Sequence, residues 1–188
     1  PIRTSTLESF AKDTPTTKGK HLIMFCTDVA SRGLDLPHVG TVLEVDPPFS
    51  TEDHLHRVGR TARAGQGGEA LLFLLPGEEE GYLGKIKSYH PKGWKLLKYD
   101  DDLLKPAFEQ VNVRRSDKDD QQDDTVLEWD TNATTWHLNV ERRVLEDSNF
   151  KSLAIKAFTS HIRAYATHIS EEKPFFNIKF LHLGHLAK

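Results

Sequence analysis

Residues 21 to 35 read H-L-I-M-F-C-T-D-V-A-S-R-G-L-D, turning from apolar to polar within one step. His21 to Cys26 carries Leu22, Ile23, Met24 and Phe25 without interruption, the pattern of a strand buried on both faces. Thr41 to Val45 is a second apolar run, closed by Asp46-Pro47-Pro48 because proline has no N–H to give a sheet ladder. Glu69 to Leu75 is a third, closed by Pro76-Gly77. Between the second and third runs, Ser50 to Asp53 has capping-box spacing and opens a helix predicted to reach about Arg63. Gly65, Gly67 and Gly68 mark the turn into the third run. A further helix is predicted from Glu78 to about Ser88, and Thr6 to Lys12 reads as the last turns of another, followed by a turn at Lys18-Gly19-Lys20. Strands alternating with helices predict an α/β fold with a parallel sheet covered by helices on both faces. In such sheets function gathers in loops after the strands, here Thr27 to Asp35, Asp46 to Ser50 and Pro76-Gly77.

Past Tyr99 the pattern weakens. Asp100-Asp101-Asp102 and the run S-D-K-D-D-Q-Q-D-D from Ser116 to Asp124 flank a stretch without strong periodicity. Arg114 to Thr125 is expected to be a disordered or loosely ordered acidic linker, too poor in apolar side chains to offset the entropy of ordering. Helical spacing returns from Phe150 to Ile169, with Leu153, Ala157, Phe158, Ile162, Tyr165 and Ile169 on one face and Lys173-Pro174 as its stop. Ile178 to Leu186 holds the start of another small element. The expected organisation is an α/β lobe over residues 1–98, a partly disordered acidic linker over 99–149 and a small α-helical extension over 150–188. The chain opens at Pro1 without a methionine and stops at Lys188 within an apolar-basic pattern, so it is read as a fragment.

Composition narrows the classes. The 188 residues are 37% hydrophobic and 28% charged, enough for a core beneath a well-solvated surface. Net charge is -3, which alone argues against a strongly basic nucleic-acid binder, but the acids of residues 116–124 offset basic charge elsewhere. No stretch of about 18 apolar residues exists, so no membrane span is expected. The single cysteine, Cys26, sits in an apolar run and suits a reducing compartment as a small buried hydrophobe.

Two segments carry candidate chemistry. In C-T-D-V-A-S-R-G-L-D, from Cys26 to Asp35, the Thr27 hydroxyl and nearby amides suit a phosphate, Gly33 allows close backbone approach, and Asp35 suits a ribose hydroxyl. The competing reading is a polar strand-to-helix turn. In H-R-V-G-R-T-A-R, from His56 to Arg63, Arg60 and Arg63 stand three apart and so share a helical face, where two forked cations suit a triphosphate. The competing reading is a basic helix end that complements the macrodipole.

Taken in order, with a strand ending in D-P-P between them and an R-A-G-x-x-G turn after, the two segments resemble motifs V and VI of DEAD-box ATP-dependent RNA helicases. Pro1-Ile2-Arg3 resembles the tail of that family's Q-x-x-R element, and the resemblance is specific to about Tyr89. D-P-P-F-S-T-E-D-H-L-H-R and L-L-P-G-E-E-E-G-Y-L are closest to the nucleolar branch acting in large-subunit ribosome assembly. R-A-Y-A-T-H and F-L-H-L-G-H-L-A-K resemble the extension that follows the core in such enzymes, its helix expected to pack on the lobe rather than widen an RNA surface.

The resemblance implies a RecA-like C-terminal lobe, part of a composite ATP and RNA site. It implies that Arg3 and Thr27, with Gly33 beside them, contact the RNA backbone, and that Asp35 binds the ATP ribose. Arg60 and Arg63 reach the ATP phosphates as catalytic groups, Arg63 nearest the γ-phosphate; His56 and Arg32 couple this lobe to its N-terminal partner. Mg²⁺ accompanies ATP, with its ligands expected in that N-terminal lobe, outside this chain. The implied partners are RNA, in particular pre-rRNA, the N-terminal lobe and pre-ribosomal proteins, and the implied location is the nucleolus within the nucleus. Ser31 and Ala62 depart from the commonest alanine and glycine, both small changes.

Other features are read as structural. His54 with His56, and His182 with His185, lack the cysteine or carboxylate partners of a metal site, so no metal ligand is assigned. The glycines at 65, 67 and 68 are not followed by Gly-Lys-Ser/Thr and form no Walker loop. Trp94, Trp129 and Trp136 are too irregularly spaced for a stacking platform. Two other classes compete with the enzyme. A non-catalytic RNA- or protein-binding module would lack a Walker lysine and a D-E-A-D box upstream; a superfamily-2 motor on DNA would be stimulated by DNA as strongly as by RNA. The isolated 188-residue chain is expected to show no measurable ATP hydrolysis. Turnover that disappears in Arg60→Ala would contradict that.

Overall fold

The structure, a computed structural model, describes residues 2–12, 17–29, 32, 39–62, 67–109, 111 and 128–187, with the backbone alone for residues 2–4. The chain divides into two compact units, one of Pro1–Ile86 with Thr167–Phe180 and one of Lys87–Ala166 with Leu181–Lys188.

In the first unit, α1 (Ile2–Ala11) precedes a turn closed by Lys20 N donating to the Thr17 carbonyl at 3.0 Å, with Gly19 at a φ of 75°. Strands β1 (Thr41–Glu44) and β2 (Glu69–Leu72) pair in parallel, Thr41 opposite Glu69 and Glu44 opposite Leu72. Between them runs α2 (Thr51–Val58), making the strand–helix–strand unit that the alternating pattern predicts. Ser50 caps it: Asp53 N donates to Ser50 Oγ at 3.2 Å, and Ser50 Oγ donates back to Asp53 Oδ2 at 3.2 Å. Beyond β2 the chain is helical, through a 3₁₀ turn at Glu78–Gly81, α3 (Tyr82–Ile86) and a second 3₁₀ turn at Lys87–Tyr89. The buried Glu79 accepts from Leu75 N at 2.7 Å and so ties this helical stretch back to the end of β2.

The core of this unit is aromatic. Tyr82, Ile86 and Phe176 are buried, with the Tyr82 ring 4.9 Å from Phe176 and Phe176 in turn 5.0 Å from His168. Phe176 and His168 come from the segment 167–180, so the strap that follows the last long helix completes the lobe's core.

Three expectations are corrected. His21 to Cys26 forms no strand: Ile23 is 77% and Phe25 93% exposed, and β1 pairs only with β2 among the described residues. An apolar run records what a segment would bury, not which neighbour it pairs with, and the chain here is held by a side-chain contact at Asp28 instead of a backbone ladder. Cys26 is exposed rather than buried; partial desolvation and the nearby Asp28 carboxylate raise its pKa, which keeps it in the thiol form. Helix α2 ends at Val58 rather than near Arg63. Gly59 N donates to the Leu55 carbonyl at 2.8 Å, Arg60 N and Thr61 N bond three residues back, and Ala62 takes a φ of 52°.

The second unit is helical. A π-helical turn at Tyr99–Leu104 leads into α4 (Lys105–Phe108), and α5 (Trp129–Glu146) and α6 (Ser148–Ala166) pack on one another. On α5 the buried Asn132 donates from Nδ2 to the Phe108 carbonyl at 3.3 Å, and the Trp136 ring lies 6.1 Å from that of Phe108. Helix α6 starts where Asp147 accepts from Asn149 N at 2.9 Å and Phe150 N at 3.0 Å. It ends at Ala166, well short of Lys173-Pro174. After a 3₁₀ turn at Ile178–Phe180, α7 (Leu183–Leu186) closes the described chain. The expected disordered stretch, Arg114 to Thr125, lies outside the described residues. Among them, no helix is long and apolar enough to cross a membrane.

Gly68 stands where the chain leaves the Arg60 turn for β2, and a Cβ there would collide with the Thr61 hydroxyl and come within 2.6 Å of the Ala62 nitrogen. Gly67 has open space around it. Gly68→Ala is therefore expected to lose about 1–3 kcal/mol in urea unfolding, as overpacked sites do, while Gly67→Ala changes little. Equal effects would contradict the close approach.

Candidate functional site

Arg57, on the last turn of α2, ties together three separate pieces of chain. Its Nε donates to Asp28 Oδ1 at 2.6 Å and its Nη2 to Asp28 Oδ2 at 3.0 Å, a two-pronged grip on the T-D segment. Its Nη1 donates to the Asp46 carbonyl at 2.8 Å and reaches Glu44 Oε2 at 3.4 Å, both at the carboxyl end of β1. Burial works against the charge on Arg57. The Asp28 bond and the attraction of Asp28, Glu44 and Asp53 outweigh it, and its pKa is raised.

Around that grip lies a shell of further charge pairs. The buried Glu44 carboxylate is also bonded to His54 Nδ1 at 2.7 Å, so one acid answers two residues of α2. Arg32 pairs with the buried Asp53, whose other oxygen is held by Ser50, the cap of the same helix. That bond and the Asp53 charge raise the Arg32 pKa. The consequence is mechanical. Among the described residues, the polar loop after residue 26, the end of β1 and helix α2 are bound by directional contacts.

Arg60 lies in the turn after α2, with its Nε donating to the His56 carbonyl at 3.2 Å. The neighbouring Thr61 hydroxyl donates to the Val39 carbonyl and, at 3.0 Å, to that of Gly40. Arg60 is therefore fixed near the amino end of β1, whereas Arg57 reaches toward the carboxyl end. A planar, permanently charged group on a pinned turn is suited to meeting an anion with little reorganisation.

The remaining candidates divide as follows. Thr27 is exposed, adjacent to the Asp28 that Arg57 holds, and His56 is exposed on α2. Arg32 is drawn into the ion pair with Asp53. Asp35, Gly33, Arg63 and the Arg3 side chain lie outside the described residues, and so does any shared face of Arg60 with Arg63. Sequence reasoning overlooked Asp28, Glu44, Asp53, His54 and Arg57. One signal was on view: Glu44 is a lone acid in an otherwise apolar run, and an acid in a buried strand requires a cation nearby.

Comparison with known proteins finds family matches toward both ends of the chain. Residues 2–65 match the helicase conserved C-terminal domain, and residues 147–188 match the C-terminal extension of ATP-dependent rRNA helicases of the SPB4-like type. The chain is 72% identical, over all its length, to 25% of the ATP-dependent RNA helicase DBP7 of Vanderwaltozyma polyspora. It is 69% identical, over all its length, to 26% of the protein of that name in Saccharomyces cerevisiae. For the Kluyveromyces lactis protein the identity is 71%, over 99% of this chain and 25% of the relative. The chain thus spans about a quarter of the length of the curated relatives it matches.

Arg57→Lys keeps the charge but cannot grip Asp28 with two nitrogens while also reaching Glu44 and the Asp46 carbonyl. Hydrogen bonds to charged groups set the expected loss in urea unfolding at about 1–3 kcal/mol. A change below about 0.5 kcal/mol, ordinary for a surface substitution, would show that the grip is incidental.

Proposed function

We propose that this chain, which matches the helicase conserved C-terminal domain and an SPB4-like extension, is a C-terminal part of a DEAD-box RNA helicase, an ATP-driven engine that remodels RNA. The observation that carries this reading is the pinned Arg60 turn. Thr61 fixes it on two carbonyls, the Arg60 Nε is bonded to its own helix end, and Gly68 permits the close return of the chain. An arginine that completes a phosphoryl-transfer site from a neighbouring lobe needs such preorganisation, and such a residue is worth roughly 10³–10⁵ in rate.

In this account ATP is held mainly by an N-terminal lobe supplied by the rest of the protein, and Arg60, with Arg63, meets its phosphates when the lobes close. Asp35 would take the ribose, and His56 the partner lobe. Magnesium would enter with ATP and supply charge neutralisation at the phosphates; among the described residues no group of three or more His, Cys, Asp or Glu is placed to hold it. Arg57 is fully engaged within the lobe, so its part is to hold Thr27 and the loop around it against the RNA backbone. Arg3 and Gly33 would extend that surface. Contact to phosphate and sugar carries little sequence information, so selectivity among RNAs should be weak. The SPB4-like extension and the naming of that family for rRNA support a pre-rRNA substrate, pre-ribosomal partners and a nucleolar location.

The intact protein is expected to hydrolyse ATP with RNA stimulation and with less response to DNA. Arg60→Ala should lower kcat by about 10³-fold, with RNA binding retained in the presence of a non-hydrolysable ATP analogue. RNA-independent turnover, or full activity in Arg60→Ala, would overturn this reading.

A further inference from the structure

Glu172 is a fully buried carboxylate in the strap, inside a lobe whose site lies elsewhere. Its Oε1 accepts from Lys85 Nζ at 2.8 Å and from the Thr51 hydroxyl at 3.3 Å, while its Oε2 has no hydrogen-bond partner. Were the strap needed only to fill space, an apolar side chain would be cheaper, since burying a charge in partial company is costly. What the carboxylate touches is more telling. Thr51 is the first residue of α2, directly after the cap Ser50, so Glu172 sits where a negative charge complements the positive end of a helix.

The strap takes hold of the start of α2 a second time. The His168 ring is tilted against that of Phe49, the residue just before the cap, at 5.4 Å, and against that of Phe176, which lies against Tyr82, at 5.0 Å. Gly81 lets the Phe175 ring close in, since a Cβ there would meet it at 3.0 Å. Lys85 is on α3, so the carboxylate also joins that helix to α2. Helix α2 has only eight residues. A helix that short does not hold itself in water and depends on its tertiary contacts. Those eight residues carry Asp53, His54 and Arg57, and they lead into Arg60.

We propose that Glu172 is a positioning residue: through Thr51 it sets the start of α2, and so the placement of Arg57 and Arg60. The C-terminal extension would thereby govern the turnover step of the lobe to which it is attached. This rests on the helicase reading for its effect on rate, but its structural half does not.

The test uses the intact protein with Glu172→Ala, the near-isosteric Glu172→Gln, and Thr51→Val alone and combined with Glu172→Ala. Two quantities are measured: amide hydrogen exchange in peptides covering residues 50–60 and 167–180, and RNA-stimulated kcat and KM for ATP, expressed per natively folded molecule. For Glu172→Ala, exchange should quicken over residues 50–60. Misplacement of groups remote from the substituted atom should lower kcat roughly 10- to 100-fold, with KM for ATP within about twofold. Glu172→Gln should fall between wild type and Glu172→Ala, and the double variant should be no worse than Glu172→Ala. If exchange quickens over 167–180 alone, or kcat per folded molecule is unchanged, the strap is only an anchor and the proposal fails. Should Glu172→Ala not fold, Glu172→Gln decides by the same two readouts. A wild type without RNA-stimulated turnover would reject the helicase reading, while the exchange over residues 50–60 would still decide the role of Glu172.

Discussion

The Arg57 guanidinium reaches the T-D segment, the acid of β1 and the corner after β1 in one stroke, and the lobe's arrangement follows from it. Two nitrogens are committed to Asp28, and the third is shared between the Asp46 carbonyl and Glu44. Val45 and Phe25 beside those residues are exposed, while Pro48 at the corner is buried. The Arg32–Asp53 pair is a second tie between the loop after Thr27 and the helix that leads into the cationic turn. A residue embedded in the signature H-R-V-G-R is thus a girder, while the role proposed for Arg60 is to meet an anion.

This division was only half legible in the sequence. Periodicity and punctuation located β1, α2 and β2, because proline, glycine and a capping serine act through local backbone geometry that any fold must respect. They could not place His21 to Cys26, whose apolar content is the same whether or not a neighbouring strand is in register. Helix α5 escaped notice as well: a residue that it buries, Asn132, is polar and pairs with a backbone carbonyl, which apolar periodicity does not register. At the site, spacing identified Arg60 as a candidate but assumed a helix continuing beneath it. The chain instead leaves the helix at Gly59, and the Thr61 hydroxyl bonds to the carbonyls ahead of β1.

The extension illustrates how packing departs from pattern. Its long amphipathic helix belongs to the helical unit, while a short stretch of irregular chain, residues 167–180, supplies Phe176, His168 and Glu172 to the lobe. Irregular segments carry no periodicity, so nothing in the sequence distinguishes a strap in a core from a surface loop. Yet this strap contacts both sides of the capping serine of α2, and in that position it is placed to influence the proposed phosphate-facing turn from a distance.

The central claim is that Arg57 and Asp28 act as one unit in setting the proposed site. A double-mutant cycle on RNA-stimulated kcat/KM of the intact protein, with Arg57→Ala, Asp28→Ala and both together, addresses it directly. The account predicts strong coupling, with the double variant no slower than the slower single one. Losses that simply multiply would mean that the two side chains work independently, and the girder assigned to Arg57 would be wrong.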